Sequence, residues 1–407
     1  MLKLLTDTHA LKWEWYLLQL LCLLLPLNNV FSSLLGLILV ILCISRHGWR
    51  CLDNFLNRGW LLFALWLGIS VFTAYSVGDA LFGLLNFYPF LLLFAIATYL
   101  LETTAQAVHL LWLILLGSLP LSLFGFAQVL INRPDWKLPR LFNSYEIILG
   151  FGEENRIASL FGHTNELALF CLMLLPVAAH FSLGRFKLDP RDRYIRITAT
   201  VILGALIAML VFAQSRNVWA LGFIGLIIQS IFYSHWWLVA ILVTVVPTAL
   251  WLASQSGIGR TSWEMFLNSN EIRVIIWSFC VNLIAQRPIL GWGLRNFIPL
   301  REQFKSVYPI YDYVVHEHNF FLAIALGSGV PALILFIVLI VWMIAHSWRS
   351  KNVVSIIASF SLILFLLSGI YDTSHYEPRV FILFWLMAAV MQAEANRVAK
   401  DAKINSC

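Results

Sequence analysis

A chain of 407 residues with 60% hydrophobic, 14% aromatic and only 12% charged side chains carries about half the charge of a water-soluble domain, where roughly 25% is usual. A soluble globular enzyme is excluded. Mean hydropathy of +0.83 leaves most of the chain for apolar spans of about 20 residues each, and runs such as Leu81–Leu101 and Val330–His346 are continuous, unlike the alternating strands of a membrane β-barrel. The fold class is an all-α polytopic membrane protein. The six cysteines (Cys22, Cys43, Cys51, Cys171, Cys280 and Cys407) are far apart, with no CxxC pair and no zinc-ligand spacing, so neither a disulfide scaffold nor a bound metal is expected.

In chain order, Met1 to Trp15 is mixed polar and runs into an apolar stretch without a small-residue cleavage site, so no removable signal peptide is expected. Spans are predicted near 15–28, 31–45, 60–76, 81–101 and 107–130, giving an N-terminal unit of five transmembrane helices over 1–130. An external loop follows over 131–164. Spans near 165–183, 197–213, 218–233 and 237–253 make a second unit, 165–253. A large external loop, 254–317, contains a helix over Glu264–Ala285, with Trp, Phe, Ile and Val on one face, and another over Arg295–Val307, a small helical cap above the bundle. The last unit, 318–396, begins with a re-entrant half-depth helix before Gly327-Ser328-Gly329 and continues with spans near 330–347, 352–371 and 380–396; a tail, 397–407, ends the chain.

Twelve crossings put both termini on one side, and charge assigns the side. The loops sharing a face with the termini hold fifteen bases and eight acids, a net of +7, against −1 for the opposite face. The termini are therefore cytoplasmic. The overall surplus of +6 is a topology signal and gives no ground for a nucleic-acid partner.

Three polar sites interrupt this pattern on the outer face. Gln214-Ser215-Arg216-Asn217 sets a guanidinium at the interface between two spans, either as a snorkelling anchor or as half of a polar notch. Glu271-Ile-Arg273 with Trp277, and Pro288 with Gly291-Trp292-Gly293-Leu-Arg295, combine a cationic helix with a turn that permits close backbone approach; alternatively Arg273 pairs with Glu271 on a solvated face. His316-Glu317-His318-Asn319 stands at the mouth of the bundle. Two residues apart on a helix, the imidazoles point away from each other and no further ligand lies nearby, which disfavours a metal pair. Interface packing is one alternative. General-base work is the other, since an imidazole with a reference pKa of about 6.5 accepts a hydroxyl proton at neutral pH.

These elements, in this order, resemble the family of O-antigen ligases, Wzy-type polysaccharide polymerases and O-linked oligosaccharyltransferases, most closely the ligases. The residues that carry the resemblance are Arg156-Ile-Ala-Ser-Leu-Phe-Gly-His-Thr-Asn165, Ser215-Arg216, Arg273 with Trp277, Pro288 with Gly291-Trp-Gly293 and Phe297, and His318-Asn319 with Leu322. The resemblance covers most of Arg156 to Asp372, and the first 130 residues match only in hydropathy. It implies a GT-C-like architecture in the bacterial inner membrane and a periplasmic site that needs no cofactor and no metal. The reaction it implies is glycan transfer from undecaprenyl pyrophosphate to lipid A-core, a growing glycan or a protein hydroxyl.

In that reaction Arg216 and Arg273 meet the pyrophosphate and His318 activates the acceptor, with His316 its understudy. Glu317 or Asp372 orients the imidazole, while Arg156, Arg295 and Asn319 contact substrate. Membrane lipids are further partners. The short C-terminal tail favours a ligase; His163-Thr-Asn165 keeps the polymerase and protein-modifying readings open. An anionic-solute transporter is the competing class, although no repeat relates residues 1–200 to 201–407 as transporter halves usually require.

Overall fold

Capping side chains set where many of the helices begin. In the computed structural model, which describes residues 12–52, 55–138, 147–151, 156–184, 190–255, 263–311 and 314–404, Asn28, Ser76, Thr103, His163, Asn319 and Asn352 each accept a backbone N–H from the first turn they precede. The charges at Lys3, Asp7, Asp53, Arg140, Arg185, Lys187, Asp189 and Arg260, the lack of an N-terminal cleavage site and Cys407 fall outside the described residues.

The N-terminal unit comprises α1 (Lys12–Leu24), α2 (Asn29–His47), α3 (Phe55–Ser70), α4 (Val77–Leu84), α5 (Tyr88–Leu100) and α6 (Thr104–Ile131). The span expected over 81–101 is corrected here. Ser76 starts it earlier, and a turn at Leu85–Phe87 divides it where Pro89, at the head of α5, has no N–H to continue a helix. The segment after α6 also contains an unexpected antiparallel strand pair, β1 (Arg133–Leu138) with β2 (Ile147–Leu149).

There follow α7 (Thr164–Leu183), α8 (Pro190–Ala213), α9 (Arg216–Phe232) and α10 (Trp236–Gln255), then the cap helices α11 (Trp263–Gln286) and α12 (Phe297–Val307). Both cap helices lie where the sequence predicts them. The buried face of α11 is Ile276, Cys280 and Leu283, however, and Val274 and Val281, expected on the apolar face, are exposed. The chain closes with α13 (Phe320–Ser350), α14 (Val353–Ser368) and α15 (Pro378–Ile404). The residues before Gly329, expected to form a half-depth helix, are the first part of α13, which kinks at Gly329 (φ 84°) and continues to Ser350.

Each of the twelve predicted spans falls on a helix or on the α4–α5 pair. Among the described residues, seven helical segments are long and apolar enough to cross a membrane, and three shorter apolar helices accompany them. The chain is an all-α polytopic membrane protein. The core centres on α7 and α15, buried along nearly their whole length, with Phe320, Phe365, Phe381, Phe384 and Trp385 interlocked between α13, α14 and α15. Polar contacts collect at the two ends. At one, Arg379, fully buried, donates to the carbonyl of Leu160 at 2.9 Å and to that of Pro26. At the other, Asn352, Thr104 and Arg397 all donate to the buried carboxylate of Glu394.

Candidate functional site

His318 occupies the short connection from the cap into the bundle, and its backbone is left-handed (φ 48°), a conformation that costs a non-glycine residue energy and persists only where neighbours enforce it. Here they do. The indole N–H of Trp277 on α11 donates to the carbonyl of His318 (3.3 Å). Asn319 caps α13 by accepting the N–H of Leu322 (2.9 Å) and donates to the carbonyl of Ile370 (3.0 Å). The N–H of Phe320 reaches the carbonyl of Gly369 (2.7 Å). Cap, α13 and the α14–α15 turn thus meet at one residue. Asn319, expected at substrate, is spent on this framework.

On that framework Nδ1 of His318 stands 3.9 Å from Oδ1 of Asp372, which in turn accepts the N–H of Thr373 (2.8 Å). Burial alone raises the Asp372 pKa, but His318, the Thr373 N–H and His163 outweigh it and hold the carboxyl well below the usual range. Of the two acids expected at the imidazole, Asp372 faces it. Glu317 does not: its carboxyl is buried beside Cys280 and Tyr376, Oε2 has no hydrogen-bond partner, and burial pushes its pKa up to about 7.

His316 lies edge-on to His318, ring centroids 6.3 Å apart, and stacks on Tyr376 at 5.5 Å. Burial, reinforced by the nearby charges of His318, His163 and Arg295, lowers its pKa to about 4, so at neutral pH it is an uncharged wall. Arg295 reaches this wall from the cap, its guanidinium 4.4 Å from the ring of Phe82. Among the described residues no group of three or more His, Cys, Asp or Glu side chains is arranged to hold a metal ion.

Arg216 opens α9. The Ser215 side chain makes no capping hydrogen bond, so the N–H groups of the first turn are not taken up by a cap. A cation at this end opposes the helix macrodipole, whereas an anion placed there would meet both. The turn is fixed from two directions. Arg156, buried, donates to the carbonyl of Ala213 (2.8 Å) and to Asn165 (2.7 Å), and Asn217 donates to the hydroxyl of Ser368 (3.3 Å) at the end of α14. Four residues beyond Ser368 comes Asp372. Arg156 braces the turn that carries Arg216. Arg273 is half-buried on α11 one turn before Trp277, whose ring is 5.9 Å from that of Tyr371. Arg216 thus adjoins a residue tied to the end of α14, and Arg273 lies one turn from the residue that donates to the His318 carbonyl.

The turn over 287–293 holds the cap in place. Trp292 and Gly293 donate their N–H groups to the carbonyls of Leu326 and Gly327 (both 2.8 Å), and Val330 donates to that of Pro288 (2.8 Å), a ladder onto the kink of α13 that a Cβ on Gly291 or Gly329 would obstruct.

Residues 199–337 match the O-antigen ligase family, Wzy_C. The matched stretch holds Arg216, Arg273, the Gly-Trp-Gly turn, Arg295 and His316 to Asn319, and stops before Asp372. Over that stretch the chain is similar to the O-antigen ligase family. No curated protein matches the chain.

Two residues that the sequence did not assign adjoin the site. His163 caps α7, its Nδ1 accepting the N–H of Asn165 (3.1 Å), and its charge is felt by Asp372 and His316. Tyr376 is stacked between His316 and His375. The first stood in a recognised motif without a role. The second left no local signal, because it is the fold that brings it to His316, some sixty positions away.

Proposed function

We propose that this chain transfers a glycan from an undecaprenyl-pyrophosphate carrier to an acceptor at the periplasmic face of the bacterial inner membrane, and that the reaction is O-antigen ligation to lipid A-core. The observation that carries the reading is His318, buttressed by Asp372 at 3.9 Å, beside a helix N-terminus headed by a guanidinium.

Nδ1 of His318 is turned to Asp372, which leaves Nε2 to take the proton of the acceptor hydroxyl. The hydroxyl oxygen attacks the anomeric carbon as the bond from that carbon to the pyrophosphate oxygen breaks, and the electron pair departs with undecaprenyl pyrophosphate. Arg216, Arg273 and the first-turn N–H groups of α9 stabilise the developing negative charge, and fixed donors in a partly water-excluded site do this without reorganising. Arg295 meets phosphate or glycan on the acceptor side, with the uncharged His316 as a wall. Both termini are cytoplasmic in this reading, as the charge asymmetry requires.

Polymerisation and protein O-glycosylation share the donor half of this chemistry and differ in the acceptor. The deciding experiment incubates pure protein with a lipid-pyrophosphate glycan and each acceptor in turn, in EDTA, and reads which acceptor gains the mass of the glycan. Lipid A-core is expected to gain it. Mass gain only on repeat units or protein redirects the assignment within the family. Solute accumulation in vesicles lacking any lipid-linked donor, with no mass gain, sinks it in favour of transport.

A further inference from the structure

Away from this site, a cavity of about 710 Å³ lies on the flank of the bundle between the end of α3 and the turn after α11, lined by Phe72, Thr73, Ala74 and residues 287–291. Its walls are mostly apolar, with the hydroxyl of Thr73 and one charged side chain among them. Arg287 is exposed, and its guanidinium stacks 3.9 Å over the ring of Trp292 and donates one hydrogen bond, to the carbonyl of Thr73. Among the described residues no acid pairs with it and no other protein acceptor takes its remaining N–H groups. Trp292 and its neighbours are fastened to the kink of α13 by the backbone ladder, so the cation stands on a rigid mount.

Below the cavity, α3 presents Leu61, Leu65, Ile69 and then Phe72 as exposed side chains at helical spacing. This stripe runs along a predicted span and ends beneath Arg287. Phe72 is 89% exposed, which no water-facing surface favours. The partner helix α13, joined to α3 through the hydroxyls of Ser70 and Ser328 (3.0 Å) and through Trp66 donating to the Ser328 carbonyl (2.9 Å), carries a second exposed stripe at Ile334, Val338 and Val341.

We propose that this cavity is a binding site for an anionic phospholipid of the surrounding leaflet, its phosphate on Arg287 and an acyl chain along the α3 stripe past Phe72. An unpaired, preoriented guanidinium at the head of a lipid-facing apolar stripe matches the two ends of that molecule. The first part of α13 runs from this cavity to His318, so the lipid stabilises the seat of the cap without entering the reaction, and the site stands whether or not the transferase reading does.

The test is native mass spectrometry of the purified full chain in detergent, titrated with phosphatidylglycerol, with diacylglycerol of the same chains and with glycerol 3-phosphate. One phosphatidylglycerol is expected to be retained, and Arg287→Ala is expected to weaken it about tenfold or more, as loss of a charge-assisted contact implies. Because Arg287 also braces Thr73, Phe72→Asp serves as a second variant: Phe72 packs on little, so the protein folds while the acyl chain is rejected. Arg301→Ala, in the cap, leaves retention unchanged. Equal retention of diacylglycerol, binding of glycerol 3-phosphate alone, or undiminished phosphatidylglycerol in both Arg287→Ala and Phe72→Asp overturns the proposal.

Discussion

His318 and Asp372 face each other across 3.9 Å, although they arrive from different elements: His318 from the connection below the cap, Asp372 from the turn between α14 and α15. The gap exceeds hydrogen-bond length and sits at the meeting point of three backbone tethers on His318 and its neighbours.

If Asp372 keeps Nε2 of His318 free to accept a proton, then Asp372→Asn damages transfer through the tautomer rather than the fold. Its side-chain amide can donate to Nδ1 and leave the proton on Nε2. Glycan transfer by Asp372→Asn and by His318→Ala should each fall on the order of 10²-fold or more, the usual reach of general-base catalysis, with melting temperature nearly unchanged for the first. Transfer at the wild-type rate in purified Asp372→Asn removes Asp372 from the mechanism.

Glu317 sets a pH dependence of stability. Burial raises its pKa from 4.5 to about 7, so between these values the folded state holds a proton that the unfolded chain has released. Its contribution is complete below pH 4.5 and is lost as pH rises through 7, by up to about 3 kcal/mol across that window. Glu317→Gln keeps the shape and removes the titration. Thermal unfolding in detergent at pH 4.5, 6 and 8 should show wild type losing stability relative to Glu317→Gln as pH rises; parallel curves would mean that the carboxyl is solvated.

Arg379 and Glu377 form a buried pair at 2.6 Å, and the guanidinium also lies 3.8 Å from the ring of Phe161. Removing one member leaves the other charged in a low-dielectric interior, so Arg379→Ala should cost about 3–5 kcal/mol, seen as a large drop in detergent melting temperature. The double variant Arg379→Met with Glu377→Gln should recover much of it. Near-wild-type stability of Arg379→Ala contradicts the account.

Long apolar runs made the helices legible, because in a bilayer the backbone has to satisfy itself within each span. The turn at Gly291-Trp-Gly293 was legible as a place of close backbone approach, and so was the pair of cap helices. The break at Leu85–Phe87 was hidden inside an apolar run whose interruption depends on a single proline. The positioning roles of Arg156 and Asn319 were hidden for another reason: their partners, Ala213 and Ile370, are 57 and 51 residues away, and no local pattern records which carbonyl a side chain will find. The partners of Arg379 were hidden for the same reason. Its acceptor at Pro26 lies 353 positions away.

The ladder between the Gly-Trp-Gly turn and the kink of α13 is made of main-chain groups on both sides. Such a joint is indifferent to the identity of most side chains around it, so drift on the cap surface can retune what the cap grips without loosening how it is fastened. The glycines are what the ladder itself requires, and a cap fastened this way can change its outer surface while keeping the angle at which the imidazole is held.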